Sequence, residues 1–302
     1  MCDWEFVCPL CRMALTAVSS NNLMCPQDKL TFAQLDGIWR LLLPERAAHF
    51  QQFVADYEVV RQTEGWGSYQ PAYYRSLPKV LSDDPFAEIW HIRARSFQML
   101  INEVLGVARQ PCRIIDLGAG NGWLAYQLAR LGHCMAAVDL LTNEMDGLGA
   151  KQHYDVAFTA VQAEFDHLPF ADKQADLVIF NGSLHYATNY EQTLQAAKQV
   201  LRPDGRLVIM DSPIYYDAAS GQQMVRERAV AFVERHGIRQ DALPHEGFLT
   251  FDRLAELSQT TGWRWRYLKP AYGWRWAIRP WLARLRRQRE PASFLLVVGE
   301  QS

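Results

Sequence analysis

Asp116-Leu-Gly118-Ala-Gly120-Asn-Gly122-Trp123 is the stretch that decides the fold of this 302-residue chain. Directly before it, Arg113 to Leu117 reads as a short apolar strand, and directly after it Leu124 to Leu131 reads as a helix. Glycines at a strand-to-helix turn let the backbone come close to a ligand. Outward from this turn, strand-like and helix-like pieces alternate, the pattern of an α/β domain with a mostly parallel sheet. Further strands are expected at His133 to Asp139, Val156 to Val161, Ala175 to Asn181, Arg206 to Asp211, Trp263 to Tyr267 and Phe294 to Val298, which makes seven. Asp139 ends the second of these, 23 residues after Asp116, the place from which a carboxylate reaches a ribose diol.

Two cofactors use a turn of this kind, a nicotinamide dinucleotide and S-adenosylmethionine. Here an anion precedes the glycines, as D-x-G-x-G-x-G. It suits the cationic amino acid end of S-adenosylmethionine and would repel a pyrophosphate. The third strand leads into Ala163-Glu164-Phe165-Asp166-His167-Leu168-Pro169-Phe170, and Asp176-Leu-Val-Ile-Phe-Asn181 is followed by Leu201-Arg-Pro-Asp-Gly205. In this order and spacing, over about residues 110 to 212, the set resembles the class I S-adenosylmethionine-dependent methyltransferases, type 11-like branch. The resemblance implies a Rossmann-like seven-stranded methyltransferase sheet with helices on both faces, and S-adenosyl-L-methionine as cofactor.

Carried over residue by residue, the resemblance makes Gly118, Gly120 and Gly122 the cradle, and gives Asp116 the methionine ammonium and Asp139 the ribose hydroxyls. Glu164 stands where the family usually has Asp and would accept from the adenine amino group, with Phe165 and Leu140 on the two faces of the ring. Asn181 would lie beneath the methyl group. Gly182-Ser183-Leu184 departs from the Asn/Asp-Pro-Pro-Tyr signature of enzymes that methylate exocyclic amines of nucleobases. If the acceptor is protonated, His185 is the first choice as base, ahead of Tyr186, Asp211, Tyr215 and Tyr216, and a structural or substrate-shaping histidine is the competing reading.

The chain divides into 1–43, a helical linker and cap at 44–110, and a core at 111–302 with a helical insertion at about 216–259. Cys2, Cys8, Cys11 and Cys25 crowd the first segment, whereas Cys112 and Cys134 sit singly. Cys8-Pro-Leu-Cys11 is a knuckle, and after thirteen intervening residues Cys25-Pro-Gln-Asp28 repeats its shape, so that the two can converge on one tetrahedral Zn²⁺. With the tail Leu30-Thr-Phe-Ala-Gln-Leu-Asp36-Gly37-Ile38, this resembles the zinc-ribbon modules fused to or partnered with methyltransferases. Cys8, Cys11, Cys25 and Asp28 form the expected set, Cys2 being the alternative fourth ligand. A metal-free relic and a redox pair are the other readings, and in each case the segment is structural. In the cap, Arg61 either meets the methionine carboxylate or is an ordinary solvated or paired arginine.

The chain carries 31 Lys+Arg and 33 Asp+Glu, but Trp263 to Glu290 holds nine cations against Glu290 alone, leaving 22 cations and 32 anions elsewhere. General polyanion binding is excluded, and any basic contact is local. In 263–290 the aromatics Trp263, Trp265, Tyr267, Tyr272, Trp274, Trp276 and Trp281 interleave with the cations. They form a packed strand and a surface helix held down by Trp281, Leu282 and Leu285, or else a site for an anionic small molecule or RNA. No apolar run approaches the ~18 residues of a membrane helix, and no secretory signal is legible, so a cytoplasmic protein is expected. A small-molecule acceptor leads, with RNA second and a non-catalytic cofactor-binding or adaptor protein third.

Overall fold

The structure is a computed structural model that describes residues 2–106, 111–237 and 242–301. The N-terminal segment forms the strands β1 (Thr16–Ser19), β2 (Asn22–Met24), β3 (Thr31–Leu35) and β4 (Ile38–Arg40). The cap and core add α1 (Pro44–Glu64), α2 (Pro71–Ser76), α3 (Ala87–Met99), β5 (Arg113–Leu117), α4 (Trp123–Arg130), β6 (Cys134–Asp139), β7 (Thr159–Gln162) and β8 (Ala175–Asn181). Then follow α5 (Tyr190–Val200), β9 (Leu201–Met210), β10 (Ile214–Tyr215), α6 (Ala218–His236), β11 (Leu249–Thr250), α7 (Phe251–Thr261), β12 (Trp263–Leu268), α8 (Trp274–Ala277), α9 (Arg279–Leu285) and β13 (Leu296–Gln301).

The seven expected strands lie side by side in the order β7-β6-β5-β8-β9-β13-β12, parallel up to β9, with β13 antiparallel to both of its neighbours. Strands such as β5 and β8 are almost continuously apolar because both faces are covered. On one face α5 and α7 pack through Leu194, Ala197, Val200, Leu254 and Leu257. On the other, α3, its continuation Leu100–Leu105 and α4 pack through Trp90, Leu100, Val104, Leu124 and Leu128.

Beyond β7 the sheet does not stop. β4 pairs with it in parallel, Ile38 opposite Ala160 and Arg40 opposite Gln162, so the N-terminal strands extend the core sheet to eleven among the described residues. Arg12 closes the contact by donating to Leu168 O at 2.7 Å and Phe170 O at 2.9 Å and pairing with Asp172 at 2.6 Å.

Several sequence expectations shift. β9 begins at Leu201, so Leu-Arg-Pro-Asp-Gly opens the strand instead of preceding it. β7 begins three residues late, because the short helix Leu148–His153 and the packing of Phe158 use the preceding stretch. β13 runs on to Gln301, since pairing with β12 carries its polar end. The single-cysteine reading of Cys134 is corrected: it forms a disulfide with Cys2, which joins β6 to the N-terminus. In the tail, α9 ends at Leu285, and Trp281 and Leu285 are 63% and 68% exposed, so they do not hold it down; Ala283 is the buried residue.

Candidate functional site

The ends of β5, β6 and β8 converge on one cleft, the place where open parallel sheets bind ligands. Gly118, Gly120 and Gly122 all have positive φ, but the need for glycine is sharpest at Gly118, where a Cβ would sit 2.3 Å from Ser183 Cβ. Behind this turn Ser183 Oγ donates to Leu117 O at 2.5 Å, fixing the β8 exit against the β5 exit. Asp139 lines the cleft. Its Oδ2 accepts from Gly120 N–H at 2.7 Å and its Oδ1 from Leu141 N–H at 2.8 Å, leaving lone pairs on both oxygens for a diol. Burial pushes its pKa up to about 6, against the pull of those two amides.

Leu140, Glu164, Phe165 and Asn181 also line the cleft, and Asn181 Oδ1 is buried without a hydrogen-bond partner. Asp116 is placed differently from the role the resemblance implies. It is fully buried beneath the turn and does not reach the cleft wall, both its oxygens lack hydrogen bonds, and burial next to Asp139 pushes its pKa up to about 8.

One wall of the cleft is α1, through Phe50, Phe53, Tyr57 and Arg61. Arg46, at its start, clasps both oxygens of Glu164 at 2.6 to 3.0 Å, while His167 Nδ1 sits 3.0 Å from Oε1. The carboxylate expected at the adenine therefore already has a protein partner. No sequence signal could announce it, because the two residues are 118 apart. Arg61 pairs with buried Asp146 and stacks 3.7 Å over Trp66, rather than pointing free toward a ligand.

A second cavity of about 810 Å³ opens beside the cleft and shares Tyr57, Arg61, Arg93, Gly182 and Tyr186 with it. His185 belongs to this cavity and not to the cleft. It is buried, its Nδ1 lies 3.2 Å from Ser212 Oγ, and burial together with Arg228 and His245 lowers its pKa to about 3. Of the other base candidates, Tyr186, Asp211 and Tyr215 line the same space, whereas Tyr216 is exposed and stacks on Phe251. Asp211 takes a hydrogen bond from Ser96 Oγ at 2.5 Å on one oxygen and keeps the other buried and unpartnered, with its pKa raised by burial.

At the far edge of the sheet, Cys8, Cys11, Cys25 and Asp28 bring one ligand atom each to within 4.8 Å of one another. Cys8 Sγ is 3.2 Å from Asp28 Oδ2, and Cys11 Sγ is 3.5 Å from Cys25 Sγ. Three sulfurs and one carboxylate gathered in this way are donors of the kind that zinc takes. Cys2, the alternative ligand, is taken by Cys134.

Residues 115–209 match the family described as a methyltransferase domain. The ubiquinone/menaquinone biosynthesis C-methyltransferases UbiE of Vibrio vulnificus and Cellvibrio japonicus are 30% and 32% identical to the chain, over 37% and 36% of its length. Those matches span 49% and 46% of the relatives, so the chain covers about half the length of the curated proteins it resembles. Among solved structures, a candidate sarcosine dimethylglycine methyltransferase of Galdieria sulphuraria superposes with a TM-score of 0.53 at 16% identity, covering 82% of this chain and 98% of that one. The YcgJ protein of Bacillus subtilis gives 0.50 at 16%, covering 69% and 99%. The glycine turn and Asp139 thus lie in the segment, 115–209, that matches the methyltransferase domain family.

Proposed function

We propose that the chain transfers a methyl group from S-adenosylmethionine to a small-molecule acceptor by direct displacement. The observation that carries this reading is the pair of joined cavities: a cofactor-type cleft at the strand ends opens, past Gly182 and Tyr186, into a walled space of drug-molecule size. The residues present fit the cofactor. Gly118 allows close approach, Asp139 offers two acceptor oxygens, and Asn181 Oδ1 is buried without a partner. When bound, the cofactor supplies an electrophilic sulfonium methyl that needs little help with its leaving group. What remains for the protein is to hold the acceptor in line.

Tyr57 and Tyr186, edge to face at 6.2 Å, narrow the passage between the two spaces and orient what lies across it. If the acceptor carries a proton, Asp211 is better suited to take it than His185. Its free oxygen is ready to accept, and burial raises its basicity, whereas burial depresses that of His185. The names of the UbiE relatives, enzymes of quinone biosynthesis, agree with a small acceptor.

RNA is the second reading, favoured by Trp274 and Trp281, 70% and 63% exposed, beside the exposed Arg284, Arg286 and Arg287. The test is methyl-labelled cofactor added with the protein to cell extract fractionated into small molecules, RNA and protein. Label is expected in the small molecules, and label in RNA alone would overturn the proposal. Calorimetry with S-adenosylhomocysteine separates both from a non-catalytic fold, which would give no heat of binding.

A further inference from the structure

The second cavity has an unusual charge balance. Six arginines line it, Arg61, Arg93, Arg228, Arg235, Arg279 and Arg289, against two carboxylates, Glu64 and Asp211. Arg61 is committed to Asp146 and Arg289 to Glu227 at 2.7 Å. Among the described residues the other four form no ion pair. Arg93 lies over the ring of Trp90 at 4.6 Å and feels Asp211, Arg279 lies over Trp276 at 3.8 Å, and Arg228 donates to Tyr186 Oη at 3.4 Å.

These arginines come from separate parts of the chain: α1, α3, α6, the first residue of α9 and the segment after it. Charges placed for solubility point outward and apart. Gathered around one concave space, with Arg61, Arg93, Arg279 and Arg289 half-buried and Arg228 and Arg235 exposed at its rim, they build a positive potential that an anion bound among them would relieve. Apart from Thr63 and His185, the rest of the wall is mainly apolar or aromatic, including Phe86, Ile89, Tyr215 and Phe294.

We infer that this cavity is the acceptor site and that the acceptor is an organic anion, a carboxylate or phosphate held by Arg228 and Arg279 with an apolar or aromatic body against Phe86, Tyr215 and Phe294. The inference deepens the proposed function and rests on it for the identity of the cavity. It also divides the basic tail: Arg279 and Arg289 face the acceptor, while Arg284, Arg286 and Arg287 stay outside on the surface.

The full-length protein is titrated by fluorescence with anilinonaphthalene sulfonate and with its uncharged parent, N-phenylnaphthylamine. Wild type should prefer the sulfonate by about tenfold or more, the worth of one good charge-assisted contact. Arg228→Gln with Arg279→Gln should abolish that preference, while Arg284→Gln with Arg286→Gln, which removes the same charge from outside the cavity, should keep it. Equal binding of the two dyes to wild type, or equal loss of preference in both double variants, overturns the inference. S-adenosylhomocysteine calorimetry on the same samples reports folding and the cofactor site independently. Absence of that binding in wild type sinks the proposed function, whereas failure of the dye test with that binding intact sinks only the anion assignment.

Discussion

Asp116 and Asp139 stand on neighbouring strands and are both raised by burial, yet they do opposite things. Asp139 faces the cleft with both oxygens steadied by amides, so Asp139→Ala is expected to weaken S-adenosylmethionine binding by about 2 to 4 kcal/mol without unfolding the protein. Calorimetry checks this, and wild-type affinity should itself decline below about pH 6, where Asp139 takes up a proton and loses acceptor strength. Asp116 has no hydrogen bond and no place on the cleft wall. Its carboxyl group is neutral in the fold up to about pH 8 but ionises near 3.8 when exposed. The stability its neutral form provides is complete below the exposed value and is lost as pH rises through about 8. Asp116→Asn should therefore raise the melting temperature most above pH 8, with the gain vanishing as pH falls toward about 4.

The glycine turn was readable because strand, turn and helix are contiguous, although Ser183, the residue that makes glycine necessary at 118, follows the neighbouring strand β8 and is distant in sequence. The pairs that fasten α1 were not readable. Arg46 meets Glu164, and Arg61 meets Asp146, across 118 and 85 residues, and neither arginine differs in sequence from a solvated one. Arg61 is in the last turn of α1 and covers a buried carboxylate, so Arg61→Ala should cost about 3 kcal/mol or more by leaving that charge unpaired. Adding Asp146→Asn should restore part of this in a denaturant titration. The knuckles are an element-scale device of the same kind. One zinc per chain is expected by metal analysis under reducing conditions, lost in Cys8→Ser together with several degrees of melting temperature, while turnover per folded molecule holds.

At the scale of the molecule, charge is the property that the sequence displayed and only the fold could sort. Nine cations in 263–290 were visible at once, but that Arg279 lines the same cavity as Arg93 and Arg228 depends on where β12, β13 and α6 come to rest. With the remaining surface acidic, RNA is expected to bind weakly. Replacing Arg284, Arg286 and Arg287 together by Ala should leave any salt dependence of RNA affinity unchanged, whereas a slope flattened by about three contacts would revive the RNA reading.

The pairing of β4 with β7 also has a consequence in time. The metal-type knuckles leave the ribosome first, but the strand that anchors them to the sheet finds its partner only when residues 159–162 have been synthesised. The first 40 residues must therefore persist, half-built, while more than a hundred others are added, since closing so long a loop is paid for before the pairing rewards it. A single zinc ion, were it held by Cys8, Cys11, Cys25 and Asp28, would let the nascent segment wait in register rather than search for it, a task during biosynthesis that the finished protein would no longer display.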